Sequence, residues 1–472
     1  MKPVLQLLLT VLAQAYIWRY RPLIVAITGN VGKTSTKEAI AAVLASPCRD
    51  SLSLRRRDRS LPLNAPSTSA AGRRIRSGKG NLNNEFGVPL TILGDWAEDY
   101  YEGGNTLWFW VRVLVVSFFG LFFQKNYPEV LVLEFGADKP GDIKRLTAKF
   151  KPHIGVVTAV GEVPVHVEYF SGPEAVAREK GRLVEALLIS DFAVLNFDDL
   201  AVLEMKERTK AKIFTYGFGD GANIKISNFE FLTTARSRAV AFMAISNEKP
   251  EGVSFKMNYN DTLRGGGQGF VPFKLSGSLG KSQGYAAAAA AAVGVIFGMN
   301  LVDVSEALSE YHGPKSRLKI LKGIKNSIII DDSYNASPLS IHLALETLRD
   351  LPGARRVAVL GDMLELGKYT IKAHQDVGNL AGSFVDLLIC VGSRAKFIAD
   401  SAFNQMSKEN IYRFDTSDEA KLKIKELIKE GDLILVKGSQ GMRMEKIVEE
   451  IMAEPEKKKE LLVRQSKKWL SK

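Results

Sequence analysis

The chemistry in this 472-residue chain is most legible in one short stretch, 24–36, which reads IVAITGNVGKTST. Apolar and β-branched residues run into Gly29, then Gly32-Lys33-Thr34, then a helix-compatible segment through Lys37, Glu38 and Ala39. That order predicts a strand, a glycine loop and the start of a helix. Amides in such a loop point outward at anionic oxygens, and the helix N-terminus adds a favourable dipole. Gly29, Asn30, Gly32, Lys33, Thr34 and Ser35 are therefore the expected contacts of a nucleoside triphosphate. Lys33 would reach the outer phosphates, and the Thr34 hydroxyl could ligate Mg²⁺. The loop is a short variant: Asn30 and Val31 alone separate the two glycines, and Ile27 stands where the longer form has its first glycine. The plainer reading is an ordinary turn with a surface lysine.

Other side chains could complete such a site. Glu134 closes an apolar run just before Gly136. Open α/β sheets bind ligands beyond the carboxyl ends of their strands. A carboxylate there can hold Mg²⁺ opposite Thr34, directly or through water, or it can simply cap the strand end. Asp331-Asp332-Ser333-Tyr334-Asn335 ends a second apolar run. Its carboxylates could bond ribose hydroxyls and its tyrosine could stack on a base, or its Asp and Asn could cap the next helix. The stretch 361–367, GDMLELG, is a similar acidic loop. His166 and Lys180, fourteen residues apart, read on their own as a structural histidine and a solvated helix lysine.

These groups need a scaffold. Strand-like runs at 130–135, 154–160 and 192–196 alternate with helical stretches, which argues a mostly parallel sheet with helices on both faces. Residues 213–275 read as a small antiparallel patch, followed by an alanine-rich helix at 285–297. From Leu318 a second α/β unit begins, with strands at 327–331, 357–361, 385–392 and 433–437 and helices at 340–349 and 443–452. It resembles a doubly wound, Rossmann-like domain. The fold class is thus α/β, with a central phosphate-loop ATPase domain over 24–312 and a C-terminal domain over 313–453. Gly313-Pro314 punctuates the hinge between them.

Composition sets bounds. Hydrophobic content of 46% with 25% charged residues suits a globular protein with cores to bury. The two cysteines, Cys48 and Cys390, are far apart, which excludes a disulfide framework and suits a reducing compartment. Of the net charge of +12, residues 49–79 supply +7 and residues 454–472 supply +4. Residues 47–79 lose periodicity and read as a disordered insertion, and 454–472 as a solvated basic tail. No aromatic residues interleave with those arginines as a single-strand binder requires, so no nucleic-acid partner is expected. Two apolar stretches, 4–18 within the N-terminal segment 1–23 and 107–123, are short or interrupted for a membrane span. Both read either as buried helices or as a peripheral contact with the inner face of the membrane.

Seven blocks then appear in a recognisable order: 29–36, NLNNEFGVPL at 81–90, LEFGADKPGDI at 133–143, 166–183, DDSYNASP at 331–338, LGDMLELG at 360–367 and KGSQ at 437–440. Over roughly 24–450 the chain resembles the Mur ligases, and within them the branch that joins D-Ala-D-Ala to a muramoyl tripeptide. The resemblance implies ATP-dependent amide-bond synthesis through an acyl phosphate, in the cytoplasm, by a monomer. UDP-muramoyl tripeptide and D-Ala-D-Ala would be the substrates, and ATP and two Mg²⁺ ions the cofactors.

The same resemblance assigns residues. Lys33, Lys180, His166 and Arg317 would be catalytic. Thr34 and Glu134 would hold one metal, and His166 and Lys180 the other. An ammonium cannot ligate a cation, so Lys180 would be carbamylated by CO₂, for which its amine must be neutral. Asp332, Tyr334 and Asn335 would contact ribose and base. Asn83 and Asn84 would face the acceptor, and Lys437 and Ser439 the amino substrate. Two departures stand out. The phosphate loop begins near residue 28, where the family has a whole UDP-binding domain before it. The family's His-Asn block before the alanine-rich helix reads Ser282-Gln283-Gly284-Tyr285 here. These departures leave two alternatives: a related ligase with another acceptor, or a non-catalytic ATP-binding scaffold at the membrane.

Overall fold

The computed structural model describes residues 2–47, 72–80, 82–103, 106–233, 249–261, 266–353 and 355–470. Among these the chain builds two sheets. The first contains β1 (Leu23–Thr28), β2 (Ile75–Ser77), β3 (Val130–Glu134), β4 (Ile154–Val157), β5 (Phe192–Asn196), β6 (Lys212–Gly217), β7 (Ile224–Thr233), β8 (Pro250–Asp261) and β9 (Gly266–Ser276). Their order is β2-β3-β1-β4-β5-β6-β7-β8-β9. Pairing is parallel from β2 through β7, and β7, β8 and β9 are antiparallel. The patch expected at 213–275 is therefore a continuation of the large sheet.

The second sheet contains β10 (Lys319–Lys322), β11 (Ile328–Asp332), β12 (Arg356–Gly361), β13 (Leu387–Val391), β14 (Ile411–Phe414) and β15 (Leu433–Lys437). Its order is β10-β11-β15-β12-β13-β14, parallel except for β10. The order reverses around β11, β15 and β12, so the loops after those strands share one crevice.

Burial explains the near-continuous apolar strands. β3 is buried at every residue because helices cover both of its faces. On one side the helix Lys33–Ala45 packs against the helix Lys281–Ile296. The alanine run makes this close approach fit: Gly294 has no room for a longer side chain, since an added Cβ would lie 3.1 Å from Val43. The same apolar cluster continues through Leu318, Ile341, Ala344 and Leu345, so the two units share one core. The opposite face is covered by Lys2–Tyr20, Gly87–Leu93, Leu107–Phe123, Asp142–Lys149 and Pro173–Glu185.

Three expectations need correction. Residues 48–71 of the anticipated insertion, with Asn81, lie outside the described residues, but Ile75–Ser77 is an edge strand paired with β3. Its irregular sequence suffices because β3 supplies the ladder. The basic tail is not a free solvated segment. Leu461 and Leu462, at the end of the short helix Lys458–Leu461, join the core of the second unit, the helix Lys467–Leu470 touches both Arg443 and the helix Ala97–Glu102 of the first unit, and Arg464 is buried. Arg464 bonds the Ser333 carbonyl and, at 2.8 Å, the Glu445 carboxylate, which also takes Arg443 at 2.6 Å. Third, of the two readings of the apolar helices only full burial is corrected: each helix buries one face and exposes the other.

Arg464→Met leaves Glu445 its Arg443 partner but removes the second cation and the donor to the buried Ser333 carbonyl. It should therefore destabilise the second unit by about 2 kcal/mol, read as a shift of the urea midpoint at constant slope.

Candidate active site

The phosphate loop links β1 to the helix Lys33–Ala45. Gly29 (φ 139°) and Gly32 (φ 89°) both take positive φ, which glycine alone adopts without strain. An added Cβ at Gly29 would sit 1.9 Å from Thr158 Oγ1. The loop is pinned from behind, where the Asn30 amide donates to the Ala159 carbonyl at 2.7 Å and Asn30 Nδ2 to the Val160 carbonyl at 2.8 Å. The first helical turn, including Lys33, Thr34 and Ser35, has amides with no intrahelical acceptor. Lys33 folds back so that Nζ donates to the Gly29 carbonyl at 2.9 Å. Burial, opposed by Glu134 and aided by Arg317, depresses the Lys33 pKa.

Glu134 ends β3 beside this loop. Thr34 Oγ1 donates to Glu134 Oε2 at 3.3 Å, and Asn83 Nδ2 donates to Oε1 at 3.2 Å. The Asn83 carbonyl also accepts from the Gly136 amide. Asn84, its neighbour, turns away: its Oδ1 accepts from the amides of Phe86 and Gly87 and so starts the helix Gly87–Leu93. The side-chain oxygen expected to face a substrate is thus engaged by the fold.

Lys180 is not a solvated helix lysine. Its residue is 2% exposed, and its pKa falls to about 7. Burial is the main cause, and the nearby Lys33 cation adds to it. Asp138, Glu179 and Glu134 oppose the shift without cancelling it. Asp138 also lies 3.5 Å from His166 Nε2, while His166 Nδ1 is 2.7 Å from Glu365 Oε2. Contact with that imidazole holds the Glu365 carboxyl below its ordinary pKa. His166, itself at φ 69°, thus bridges an acidic residue of the first unit and one of the second. Nothing in the residue types of Asp138 and Glu365 singles them out in the sequence. Their signal was position, since each lies a few residues past a strand end.

Arg317 of the second unit lies near enough to the loop for its charge to help depress the Lys33 pKa. Its neighbours Ser316 (φ 54°) and Leu318 (φ 51°) both occupy the left-handed region, which is uncommon for leucine. Asp331 and Asp332 hold that turn. Ser316 Oγ donates to Asp331 at 2.6 Å, and the Leu318 amide donates to Asp332 Oδ1 at 3.3 Å. Asp332 Oδ2 accepts from Lys437 Nζ at 2.6 Å in a buried ion pair. Lys437 also donates to the Asn335 carbonyl.

Asp332 thus holds both Lys437 and the Arg317 turn, and the Lys437 ammonium is engaged there. Ser439 Oγ accepts from the Leu364 amide at 2.9 Å, and Asn335 Oδ1 accepts from the Gln440 amide. The Arg317 guanidinium lies over the Tyr334 ring, 4.1 Å from its centroid. That cation covers a ring face expected to be open for a base.

Between the two units lies a cavity of about 1410 Å³. Gly32, Thr36 and Thr158 line one end, Asn196, Asp198 and Tyr285 the other, and Leu339, His342 and Tyr369 the wall from the second unit. It therefore joins the phosphate loop to a polar compartment beyond β5. There Tyr285 donates to Asp198 Oδ2 at 2.9 Å, and Asp198 also accepts from the Phe218 and Gly219 amides. Burial, then Asp198, pushes the Tyr285 phenol well above its ordinary pKa, so it stays a donor.

Among the described residues no group of three or more His, Cys, Asp or Glu side chains could hold a metal ion. One carboxylate beside a hydroxyl does fit Mg²⁺, which keeps waters and takes substrate phosphates as its remaining ligands.

Comparison with known proteins agrees with this arrangement. The Mur ligase middle-domain model matches residues 116–258, and the Mur ligase glutamate ligase domain model matches residues 316–440, together more than half of the chain. The UDP-N-acetylmuramoyl-tripeptide–D-alanyl-D-alanine ligase of Bacillus subtilis (strain 168) is 27% identical over 446 residues, covering 94% of this chain and 79% of the relative. The enzyme of the same name from Escherichia coli (strain K12) is 26% identical over 428 residues, covering 90% and 76%. In fold the chain is similar to MurF from Acinetobacter baumannii (TM-score 0.68, 23% identity, 94% and 79% covered). It is equally similar to the MurF ligase from Thermotoga maritima in complex with ADP (TM-score 0.68, 23% identity, 95% and 84% covered). A phosphate loop beside a buried, pKa-depressed lysine in the first of two joined α/β units, with both domain models in register, leads to one conclusion: the chain belongs to the Mur ligase family.

Proposed function

We propose that the protein is an ATP-dependent ligase of peptidoglycan precursor synthesis that joins D-Ala-D-Ala to UDP-N-acetylmuramoyl tripeptide. The observation that carries this reading is convergence. Thr34 and Asn83 both bond Glu134, Lys33 lies within electrostatic range of Glu134, Asp138, Lys180 and Arg317, and Asp138 neighbours His166, which supports a shared site at the phosphate loop. Relatives bearing that name over nine-tenths of this chain supply the substrate classes.

The reaction brings anions together. The tripeptide carboxylate attacks the γ-phosphorus, ADP leaves, and an acyl phosphate forms. The D-Ala-D-Ala amine then attacks the carbonyl carbon and phosphate departs. The loop amides and Lys33 hold the phosphates, and Arg317 adds positive charge as the units close. Bound Mg²⁺ would neutralise the phosphoryl oxygens. Thr34 and Glu134 would hold one ion, and His166 with carbamylated Lys180 a second. The adenine end occupies the Tyr285–Asp198 compartment. Closure of 313–453 over 24–312 excludes the water that would hydrolyse the acyl phosphate. The protein acts as a cytoplasmic monomer.

The test is ADP release by the purified chain. Release should require both the muramoyl tripeptide and D-Ala-D-Ala, with the pentapeptide product seen by mass spectrometry. Release at the same rate with D-Ala-D-Ala omitted, and no amide product, would refute the assignment.

A further inference from the structure

One surface differs from the rest of the molecule. The helix Lys2–Tyr20 turns Leu9, Ala13 and Tyr16 into the core, and the helix Leu107–Phe123 does the same with Phe109, Trp110 and Val113. Their other faces are apolar and open. Trp18 and Trp108 are each 76% exposed and Phe123 is 75% exposed, with Leu7, Phe119 and Phe122 between them also exposed. Monomers rarely leave so continuous an apolar face in water.

The two helices form one platform. Tyr16 donates to the Ser117 carbonyl at 2.8 Å and Tyr20 to the Gly120 carbonyl at 2.9 Å. At Gly120 an added Cβ would sit 2.3 Å from the Tyr16 hydroxyl, so glycine permits the approach. Residue numbers rise together along the contact, so the helices run in the same direction and their C-terminal ends coincide. Exposed Arg19, Arg21 and Lys125 cluster there, and exposed Lys2 marks the other end of the first helix. Neither helix contains an Asp or a Glu. On the neighbouring helix Ala97–Glu102, Asp99 pairs with Arg112 at 3.1 Å, and Glu98 and Glu102 are exposed.

We propose that this two-helix face docks the protein on an anionic phospholipid surface. The pattern is that of interfacial helices: an apolar face to enter the headgroup boundary, tryptophans at its margin and cations facing lipid phosphates. No described helix is long and apolar enough to cross a membrane. The platform is tied to the reaction centre, since Gln6 Nε2 donates to Glu85 Oε2 at 2.5 Å, two residues from Asn83. Docking would therefore set the acceptor-facing rim beside the lipid.

The experiment is sedimentation of the full chain with unilamellar vesicles of phosphatidylcholine, alone or with one-third phosphatidylglycerol. Binding to the anionic vesicles should exceed binding to neutral ones by about tenfold and fall with added salt. The pair Phe119→Glu with Phe122→Glu, and separately Arg19→Glu with Arg21→Glu, should abolish it while leaving ADP release unchanged. Three results would overturn the proposal: no vesicle binding, equal binding to both vesicle types, or a concentration-dependent dimer in light scattering that the Phe119/Phe122 variant dissociates. No substrate enters the vesicle assay, so it stands or falls apart from the ligase reading.

Discussion

Lys180→Ala is expected to lower kcat by about 10³-fold while leaving the fold intact. The side chain lies inside the site and makes no ion pair among the described residues, so its removal mainly trims packing. What disappears is the one buried amine positioned beside Glu134, Asp138 and Lys33. With a pKa of about 7, most of that amine is neutral above pH 7, and only about a tenth is neutral at pH 6. In the proposed mechanism this neutral amine would add to CO₂, forming an N–C bond and releasing one proton, so that an anionic oxygen ligand would replace the cation. The sign follows directly. Activity after CO₂ removal should return faster on adding bicarbonate at pH 8 than at pH 6, because raising pH increases the reactive form. In Lys180→Ala, millimolar acetate should restore part of kcat, since a small carboxylate can occupy the vacated anionic position. Bicarbonate-independent activity in the wild type, together with a variant that no carboxylate rescues, would remove the carbamate from the mechanism.

Lys33→Met should cost about 10²- to 10³-fold in kcat with a smaller rise in KM for ATP. The loop amides and the helix N-terminus still bind phosphate in the variant, so ground-state affinity survives in part. The Lys33 cation is held by the Gly29 carbonyl and close to Glu134, where charge on the transferring phosphoryl group develops. Its loss therefore falls on the transition state. Steady-state kinetics at saturating acceptor separate the two parameters. A variant that changes KM alone would make Lys33 an anchor for ATP and no more.

The sequence carried local features well and tertiary ones poorly. The phosphate loop was readable because strand, glycine and helix signals lie within thirteen residues and need no other part of the chain. The parallel strands were readable because double burial writes an apolar run. The sheet's extension through β7 to β9 was not, since pairing partners are set by neighbours distant in sequence. Lys180 looked like any helix lysine, and only its burial, with the Lys33 cation nearby, gives it its character. Asp332 and Lys437, 105 residues apart, looked like separate ligand contacts until the adjacent strands β11 and β15 brought them into one ion pair. The tail read as solvated because its charges are counted in sequence, whereas Arg464 is neutralised by Glu445 in space.

The ligase account rests on transfer of the γ-phosphoryl group to the acceptor carboxylate. Acceptor labelled with ¹⁸O in that carboxylate tests this most directly. One labelled oxygen per turnover should appear in the released inorganic phosphate, because the attacking oxygen leaves with phosphorus when the amine displaces it. Unlabelled phosphate, or label recovered in AMP, would contradict the account.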